Sequence, residues 1–94
     1  MAEVVWARTA LADLVSIAEY IAIYNPGAAG KLVRRIRRHI DKLADHPKLG
    51  IVLPLRAGHR YRQVVEPPCR VIYRISGTSV LIVAIQRCEQ NLRI

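Results

Sequence analysis

The sequence predicts an α+β domain of two layers, in which a helical hairpin packs on a mainly antiparallel sheet in the order β-α-α-β-β-β. Its 94 residues are the length of one domain, so residues 1–94 are expected to share one core. Apolar residues recur with a helical period before residue 46, whereas β-branched runs separated by turn residues follow residue 59. Helices and strands segregated along the chain in this way are typical of the α+β class.

The composition excludes several other classes of protein. With 52% hydrophobic and 23% charged residues, the chain is expected to be globular and not disordered. No stretch reaches the run of about 20 apolar residues that spans a membrane, so we expect no membrane association. The first four residues contain no basic residue, and two cysteines are too few for a disulfide scaffold. We therefore expect no secretory signal and a cytoplasmic location.

The first two elements are a short strand and a helix. Residues 3–6 are β-branched and end in the aromatic Trp6, which favours a strand. Thr9 is a candidate N-cap for the helix that follows. Apolar residues after it trace one helix face, which we expect to contact the core: Leu11, Leu14, Val15, Ala18, Ile21 and Ala22. Three polar residues are expected to face solvent: Asp13, Ser16 and Glu19.

The second helix has the clearest periodicity in the sequence. Asn25 is expected to cap it and Pro26 to occupy its first position, and the helix should end at His46 because Pro47 follows. Its apolar residues fall within about 80° of arc: Ala29, Leu32, Val33, Ile36, Ile40 and Leu43. A stripe of basic residues centres on the opposite side: Lys31, Arg34, Arg35, Arg38 and Lys42.

The remainder of the chain predicts a loop and three strands. Residues 47–58 hold two prolines and two glycines without periodicity, and we interpret them as a covering loop with room for one short strand. The strands are expected at residues 61–65, 70–75 and 80–87.

The last two of these strands are expected to pair with Ile75 opposite Val80. That pairing places Tyr73 opposite Ile82 and Val71 opposite Ala84 on the face toward the helices. The other face is then expected to carry four apolar residues and three arginines: Ile72, Leu81, Val83, Ile85, Arg70, Arg74 and Arg87.

Charge is distributed unevenly along the chain, whose formal net charge is +8. Residues 1–30 contain one basic and three acidic residues, whereas residues 31–94 contain fourteen basic and four acidic ones. An excess of this kind predicts a basic surface that attracts either nucleic acid or an acidic protein partner.

The sequence offers few residues for metal or covalent chemistry. His39, His46 and His59 lack the spacing of metal ligands, so we expect no metal and no cofactor. Cys69 and Cys88 are expected to lie near each other at the outer end of the last hairpin. A reducing compartment favours free thiols there, and a disulfide between them is the alternative.

Arginine is the remaining candidate for function. Guanidinium groups bind phosphates or the carboxylates of a partner chain in a bidentate manner. Candidate partner-binding residues are the five of the basic stripe together with two near the strands: Arg60 and Arg74. The other arginines of the strands are Arg62, Arg70 and Arg87.

An ordered set of segments resembles the RelE/ParE toxin superfamily of bacterial type II toxin–antitoxin modules. The segments are Trp6, residues 10–14 (ALADL), 17–21 (IAEYI), 25–29 (NPGAA), 43–47 (LADHP) and 70–74 (RVIYR). The resemblance extends from residue 4 to about residue 88, and the helical-hairpin segments are more similar to the ParE branch than to the RelE branch. It implies the fold predicted above, an acidic cognate antitoxin as partner, and either a homodimer or a hetero-oligomer with that antitoxin.

The two branches imply different activities. ParE-like toxins bind and inhibit DNA gyrase, and RelE-like toxins cut mRNA in the ribosomal A site without a metal. Under the RelE reading, Arg70, Arg62 and Arg87 match basic positions of the nuclease. Val64 stands where a second lysine is expected, and residues 91–94 contain no tyrosine to stack on a base.

Our leading hypothesis is a ParE-like, non-catalytic inhibitor of gyrase, and the alternative is a RelE-like endonuclease. Arginine stays protonated in proteins and is a poor general base, which weighs against the alternative. A third hypothesis is an accessory protein that has the toxin fold and only binds antitoxin or DNA.

Overall fold

In the computed structural model, which describes residues 1–54 and 60–92, two helices pack on one face of a five-stranded sheet. The sheet order is β1-β5-β4-β3-β2, with β1 parallel to β5 and the other neighbours antiparallel. The elements are β1 (Glu3–Trp6), α1 (Arg8–Tyr24), α2 (Pro26–Asp45), β2 (Ile51–Val52), β3 (Tyr61–Glu66), β4 (Cys69–Ser76) and β5 (Ser79–Arg87).

The predicted fold class and element order are confirmed. β2 is the short strand that was predicted as an option within the loop after α2, and it pairs with β3 at the edge of the sheet. Residues 55–58 of that loop lie outside the described residues. Neither helix of the described part of the chain is long and apolar enough to cross a membrane.

The junction between the helices forms as predicted. Asn25 Oδ1 accepts a hydrogen bond from the backbone N–H of Ala28 at 3.0 Å, and Pro26 begins α2. α2 ends at Asp45, with His46 as its C-cap residue. Five predicted apolar residues of α2 are buried: Ala29, Leu32, Ile36, Ile40 and Leu43.

The predicted core face of α1 is wrong in part, because the helix is rotated. Leu11 and Val15 are 49% and 55% exposed, whereas Ala10, absent from the predicted face, is fully buried. Three further residues pack against the core: Leu14, Ile17 and Ile21. Apolar residues lie on several sides of α1, so their period does not select the buried side. Contacts with the sheet select it.

Two polar residues of α1 have roles that the sequence did not predict. β5 continues beyond Ile82, where β1 ends, so no strand within residues 1–54 and 60–92 pairs with the rest of that edge. Thr9 Oγ1 donates to the carbonyl oxygen of Val83 at 3.1 Å, and Asp13 Oδ2 accepts from the N–H of Ile85 at 3.0 Å. Thr9 is therefore not the N-cap, which is Ala7 without a side-chain bond, and Asp13 does not face solvent.

The predicted pairing of β4 and β5 holds only near the turn. Ile75 opposes Val80 and Tyr73 opposes Ile82 as expected, but a bulge between Ile72 and Tyr73 shifts the register. Beyond it Ile85, and not Ala84, opposes Val71. Because side chains of a strand alternate between faces, a shift of one residue moves every later side chain to the opposite face. Ile85 and Arg87 consequently lie on the helix side of the sheet.

Apolar residues are buried on both faces of the sheet. The main cluster lies between sheet and helices and includes Ile36, Tyr73 and Ile82. A smaller cluster on the other face, called the open face below, contains Leu53, Tyr61, Ile72 and Ala84, with Val83 and Leu92 packed against it.

Candidate functional site

The three arginines assigned to the nuclease alternative do not share a face of the sheet. Arg70 alternates with the helix-facing residues of β4 and therefore lies on the open face. Arg62 donates through Nη1 to the backbone oxygens of Gly50 at 2.8 Å and Lys48 at 3.3 Å, which fastens the loop beside β2. Arg87 lies on the helix side, against α1. The structure thus separates these three guanidinium groups.

Arg70 and Arg74 lie on the open face, on either side of the buried Ile72. Arg70 Nη2 donates to the carbonyl oxygen of Gln90 at 2.6 Å, so the segment after β5 covers part of its side chain. Its buried Nε and the buried Oε1 of Gln63 have no hydrogen-bond partner among the described residues. Arg60 is exposed next to β3.

Arg87 forms one wall of a groove of about 570 Å³ between α1 and the end of β5. Its Cζ atom lies 5.6 Å from the centroid of the Tyr20 ring, and its Nε lies 3.3 Å from Glu89 Oε1. Apolar side chains of α1 line the inner part, and Asp13 lies at one side where it holds β5. The groove thus combines apolar walls with the charged side chains of Asp13, Arg87 and Glu89.

The basic stripe of α2 lies on the outside of the helical layer. Four of its residues are exposed and form no ion pair or hydrogen bond within residues 1–54 and 60–92: Lys31, Arg34, Arg38 and Lys42. The fifth, Arg35, is bound to Glu66 at the end of β3, with Nε 3.1 Å from Oε1. Arg37, also exposed, lies beside the stripe. Most of the predicted partner-binding residues are thus available on one helix face, while Arg60 and Arg74 belong to the sheet.

A shallow groove of about 340 Å³ runs along one side of the stripe. Arg38 and Lys42 line it from α2, and Glu66 lines it from β3. The Glu66 carboxylate is bound by Arg35 and by His39 Nδ1, at 3.1 Å from each. Arg35 and His39 also line the groove, so its wall carries one paired carboxylate among basic side chains.

α1 exposes an unusual amount of apolar surface. Five of its large side chains are between 49% and 77% exposed: Leu11, Val15, Tyr20, Ile23 and Tyr24. Tyr20 and Tyr24 contact each other edge to face, with ring centroids 5.7 Å apart. By contrast, no large apolar residue of α2 is exposed. Leu11 and Val15 lie on one side of the helix and the two tyrosines lie about 180° of arc away, so α1 exposes two apolar surfaces.

The two thiols differ in exposure. Cys69 is buried, and burial, followed by the neighbouring Cys88, raises its pKa from 9.0 to about 11. Cys88 is exposed, and both are free cysteines. Over residues 1–54 and 60–92, no group of three or more His, Cys, Asp or Glu side chains is placed to hold a metal ion. His59 lies outside the described residues.

The architecture matches solved structures of toxin–antitoxin systems. A chain of the chromosomal ParDE TA system from P. aeruginosa superimposes with a TM-score of 0.80 at 27% identity, covering 95% of this chain and 98% of that one. A chain of the RelB–RelE antitoxin–toxin complex from Methanococcus jannaschii has the same fold, with a TM-score of 0.57 at 14% identity over 88% of both chains. The fold is that of a RelE/ParE superfamily toxin.

Sequence comparison makes the assignment more specific. Toxin RelE2 of Caulobacter vibrioides (strain ATCC 19089 / CIP 103742 / CB 15) is 37% identical over 90 residues, which is 96% of this chain and 99% of that protein. Residues 4–92 match the family described as ParE toxin of type II toxin-antitoxin system, parDE. The chain belongs to this ParE toxin family.

The sequence patterns did not identify several residues that shape these surfaces. Each of three residues forms hydrogen bonds with a partner distant in sequence. Asp13 binds the N–H of Ile85, and Glu66 binds Arg35 and His39. Tyr73 binds the loop at residues 47–50. The only signal that could have identified Asp13 is its position within a largely apolar helix, where a carboxylate requires a partner if it is not exposed.

Proposed function

We propose that this chain is a toxin that inhibits DNA gyrase in the cytoplasm by binding to it, and that a cognate antitoxin neutralises the toxin. The observation that carries the proposal is the match of residues 4–92 to the ParE toxin family. The likeness to a chain of a ParDE system, with a TM-score of 0.80, supports it. Binding without catalysis requires complementary shape and charge, and the exposed α1 surface and the α2 stripe offer both.

The positions of the arginines support a mechanism without bond cleavage. Metal-free cleavage of RNA needs a base for the 2′-hydroxyl, a cation near the phosphorane and an acid for the leaving oxygen. Arg62 and Arg87 lie away from Arg70 and are bound to other groups of the protein, so they do not complete such a set with it. Arg70 and Arg74 can supply positive charge on the open face but no general base.

The second candidate is a ribosome-dependent mRNA endonuclease. It is favoured by one observation, the 37% identity to a protein named Toxin RelE2. In this case Arg70 would contact the scissile phosphate on the open face, and the ribosome would have to supply or position the missing acid and base.

Two reactions run in parallel distinguish the candidates. Purified toxin is added to a gyrase supercoiling reaction and to a reconstituted translation reaction whose message is mapped for cleavage. We expect loss of supercoiling and an intact message. Cleavage at A-site codons that disappears in Arg70→Ala, but persists in the matched control Lys48→Ala on the exposed loop, would establish the endonuclease instead.

We propose that the antitoxin covers the exposed apolar side chains of α1 with an amphipathic, acidic segment, since the chain carries a net charge of +8. Val15→Asp is expected to weaken the complex at least tenfold, whereas Ser16→Asp, on the adjacent exposed position, should have little effect. Titration calorimetry with the antitoxin encoded next to the toxin measures both. Equal affinities for the two variants would place the antitoxin elsewhere.

A further inference from the structure

The basic stripe of α2 differs in its chemistry from the exposed apolar surface of α1. It presents four exposed cations without an ion pair, and α2 exposes no large apolar residue between or beside them. The sequence left two classes of partner open for such a surface, an acidic protein and a nucleic acid. The structure favours one of them.

We propose that the α2 stripe binds the phosphate backbone of duplex DNA, independently of base sequence. This inference does not depend on whether the toxin's target is gyrase or the ribosome. It rests on the spacing of the four cations along α2 and on the absence of exposed large apolar side chains from that helix.

The geometry suits a rigid, regularly charged partner. Lys31, Arg34, Arg38 and Lys42 follow one another every three or four residues, so they form a row of about 16 Å along a straight helix. Duplex DNA carries a phosphate about every 3.4 Å along each strand, and a row of this length therefore spans several phosphates.

The composition of the surface argues against an acidic peptide. Binding of a protein segment depends mainly on a few buried apolar or aromatic anchors, with charges at the rim. The stripe offers no pocket-forming apolar residue of this kind, whereas α1 does. A surface with several closely spaced cations gains affinity chiefly by releasing the counterions of a polyanion.

The composition also argues against single-stranded RNA. Proteins that bind single strands stack aromatic side chains on unpaired bases. α2 contains no Phe, Tyr or Trp for such stacking. The regular phosphates of a duplex suit a row of cations that offers no aromatic side chain for stacking.

Two helix acids, Asp41 and Asp45, lie toward the C-terminal end of α2 and form no ion pair with these cations. They reduce the local potential near Lys42 more than near Lys31 and Arg34. The N-terminal and central parts of the stripe are therefore expected to make the stronger phosphate contacts.

The test is fluorescence anisotropy of the full-length toxin with a 20-base-pair DNA duplex of mixed sequence, repeated from low to moderate salt. Four phosphate contacts predict that log K falls with log salt with a slope of about −4. Arg34→Glu/Arg38→Glu should weaken binding at least tenfold at low salt and reduce the slope by about 2. Arg34→Gln/Arg38→Gln, which removes charge without reversing it, serves as a second variant should the reversal disturb folding.

The matched control is Arg8→Glu/Lys48→Glu, which changes the net charge equally at exposed positions outside α2. It should leave the slope unchanged. Equal losses in both double variants would overturn the proposal, because net charge and not the stripe would then explain binding. Tighter binding of a 20-nucleotide single-stranded RNA, or loss of antitoxin affinity in the α2 variants with duplex binding intact, would also overturn it.

Discussion

The carboxylate of Asp13 in α1 accepts a hydrogen bond from the backbone N–H of Ile85 in β5, with Oδ2 3.0 Å from the nitrogen. This bond and that of Thr9 to Val83 replace the strand neighbour that β5 lacks beyond the end of β1. The first turns of α1 are thereby fixed to the sheet, and the rotation that exposes Leu11 and Val15 is fixed with them.

Asp13→Ala is expected to lower the free energy of unfolding by about 1–3 kcal/mol, because the N–H of Ile85 loses its acceptor in a part-buried place. The matched control is Glu19→Ala, at an exposed position of the same helix, which should change stability by less than about 0.5 kcal/mol. Urea denaturation followed by circular dichroism measures both. If the two variants unfold at the same urea concentration, the bond contributes nothing to stability.

Tyr73→Phe should destabilise the fold by about 1–3 kcal/mol and loosen the loop after α2. The buried Tyr73 hydroxyl donates to the Pro47 oxygen at 2.7 Å and accepts from the Gly50 N–H at 2.8 Å, so the variant leaves two backbone groups without their partner. Burial raises the pKa of Tyr73, and its hydroxyl therefore stays protonated as a donor at neutral pH. Hydrogen exchange of the Gly50 amide should accelerate more than in Tyr24→Phe, whose ring is 77% exposed. Unchanged exchange would contradict the role given to Tyr73.

Gly50→Ala, in the loop before β2, should be more harmful than a Gly→Ala change within α2. A Cβ at residue 50 would lie 2.6 Å from the backbone oxygen of Gln63 and 2.7 Å from the Tyr73 hydroxyl, so β2, β3 or Tyr73 must move. We expect a loss of about 1–3 kcal/mol or more, measured as a lower melting temperature. In Gly27→Ala the nearest contact is an ordinary 3.5 Å to Asn25 Oδ1, and a neutral or slightly stabilising effect is expected. A melting temperature for Gly50→Ala equal to that of the control would show that the close approach is absent.

Alkylation should modify Cys88 well before Cys69. The thiolate is the reactive form, and Cys69 is buried with a pKa of about 11, whereas Cys88 is exposed. Because the pKa of Cys69 rises on folding from 9.0 to about 11, the unfolded chain releases this proton first as the pH rises between those values. The contribution of Cys69 to stability is thus complete below pH 9 and is lost toward pH 11.

Mass spectrometry of iodoacetamide-treated protein at pH 8 measures this order of reaction. Cys88→Ser should leave a protein that is alkylated only upon unfolding, and Cys69→Ser one that is alkylated rapidly. Rapid modification of Cys69 in the folded Cys88→Ser variant would contradict the burial of its thiol.

Local sequence signals located the elements well but did not define the surfaces. Asn25 and Pro26 determine the hairpin through interactions within one turn, and the apolar period of α2 has a single strong face, so both were predictable. The exposed side of α1 was not predictable, because apolar residues occur on several sides of that helix. The separation of Arg87 from Arg70 was not predictable either, because it depends on the bulge in the pairing of β4 with β5.

By itself, the sequence determined the order of helices and strands, the cap at Asn25 and the basic stripe of α2, because each depends on residues within a few positions of one another. Only the tertiary structure decided which side of α1 meets the sheet, which face each arginine occupies, and which carboxylate bonds the edge of β5. Those outcomes depend on hydrogen bonds and packing between residues far apart in the chain, and a one-residue shift in strand pairing is enough to reverse them.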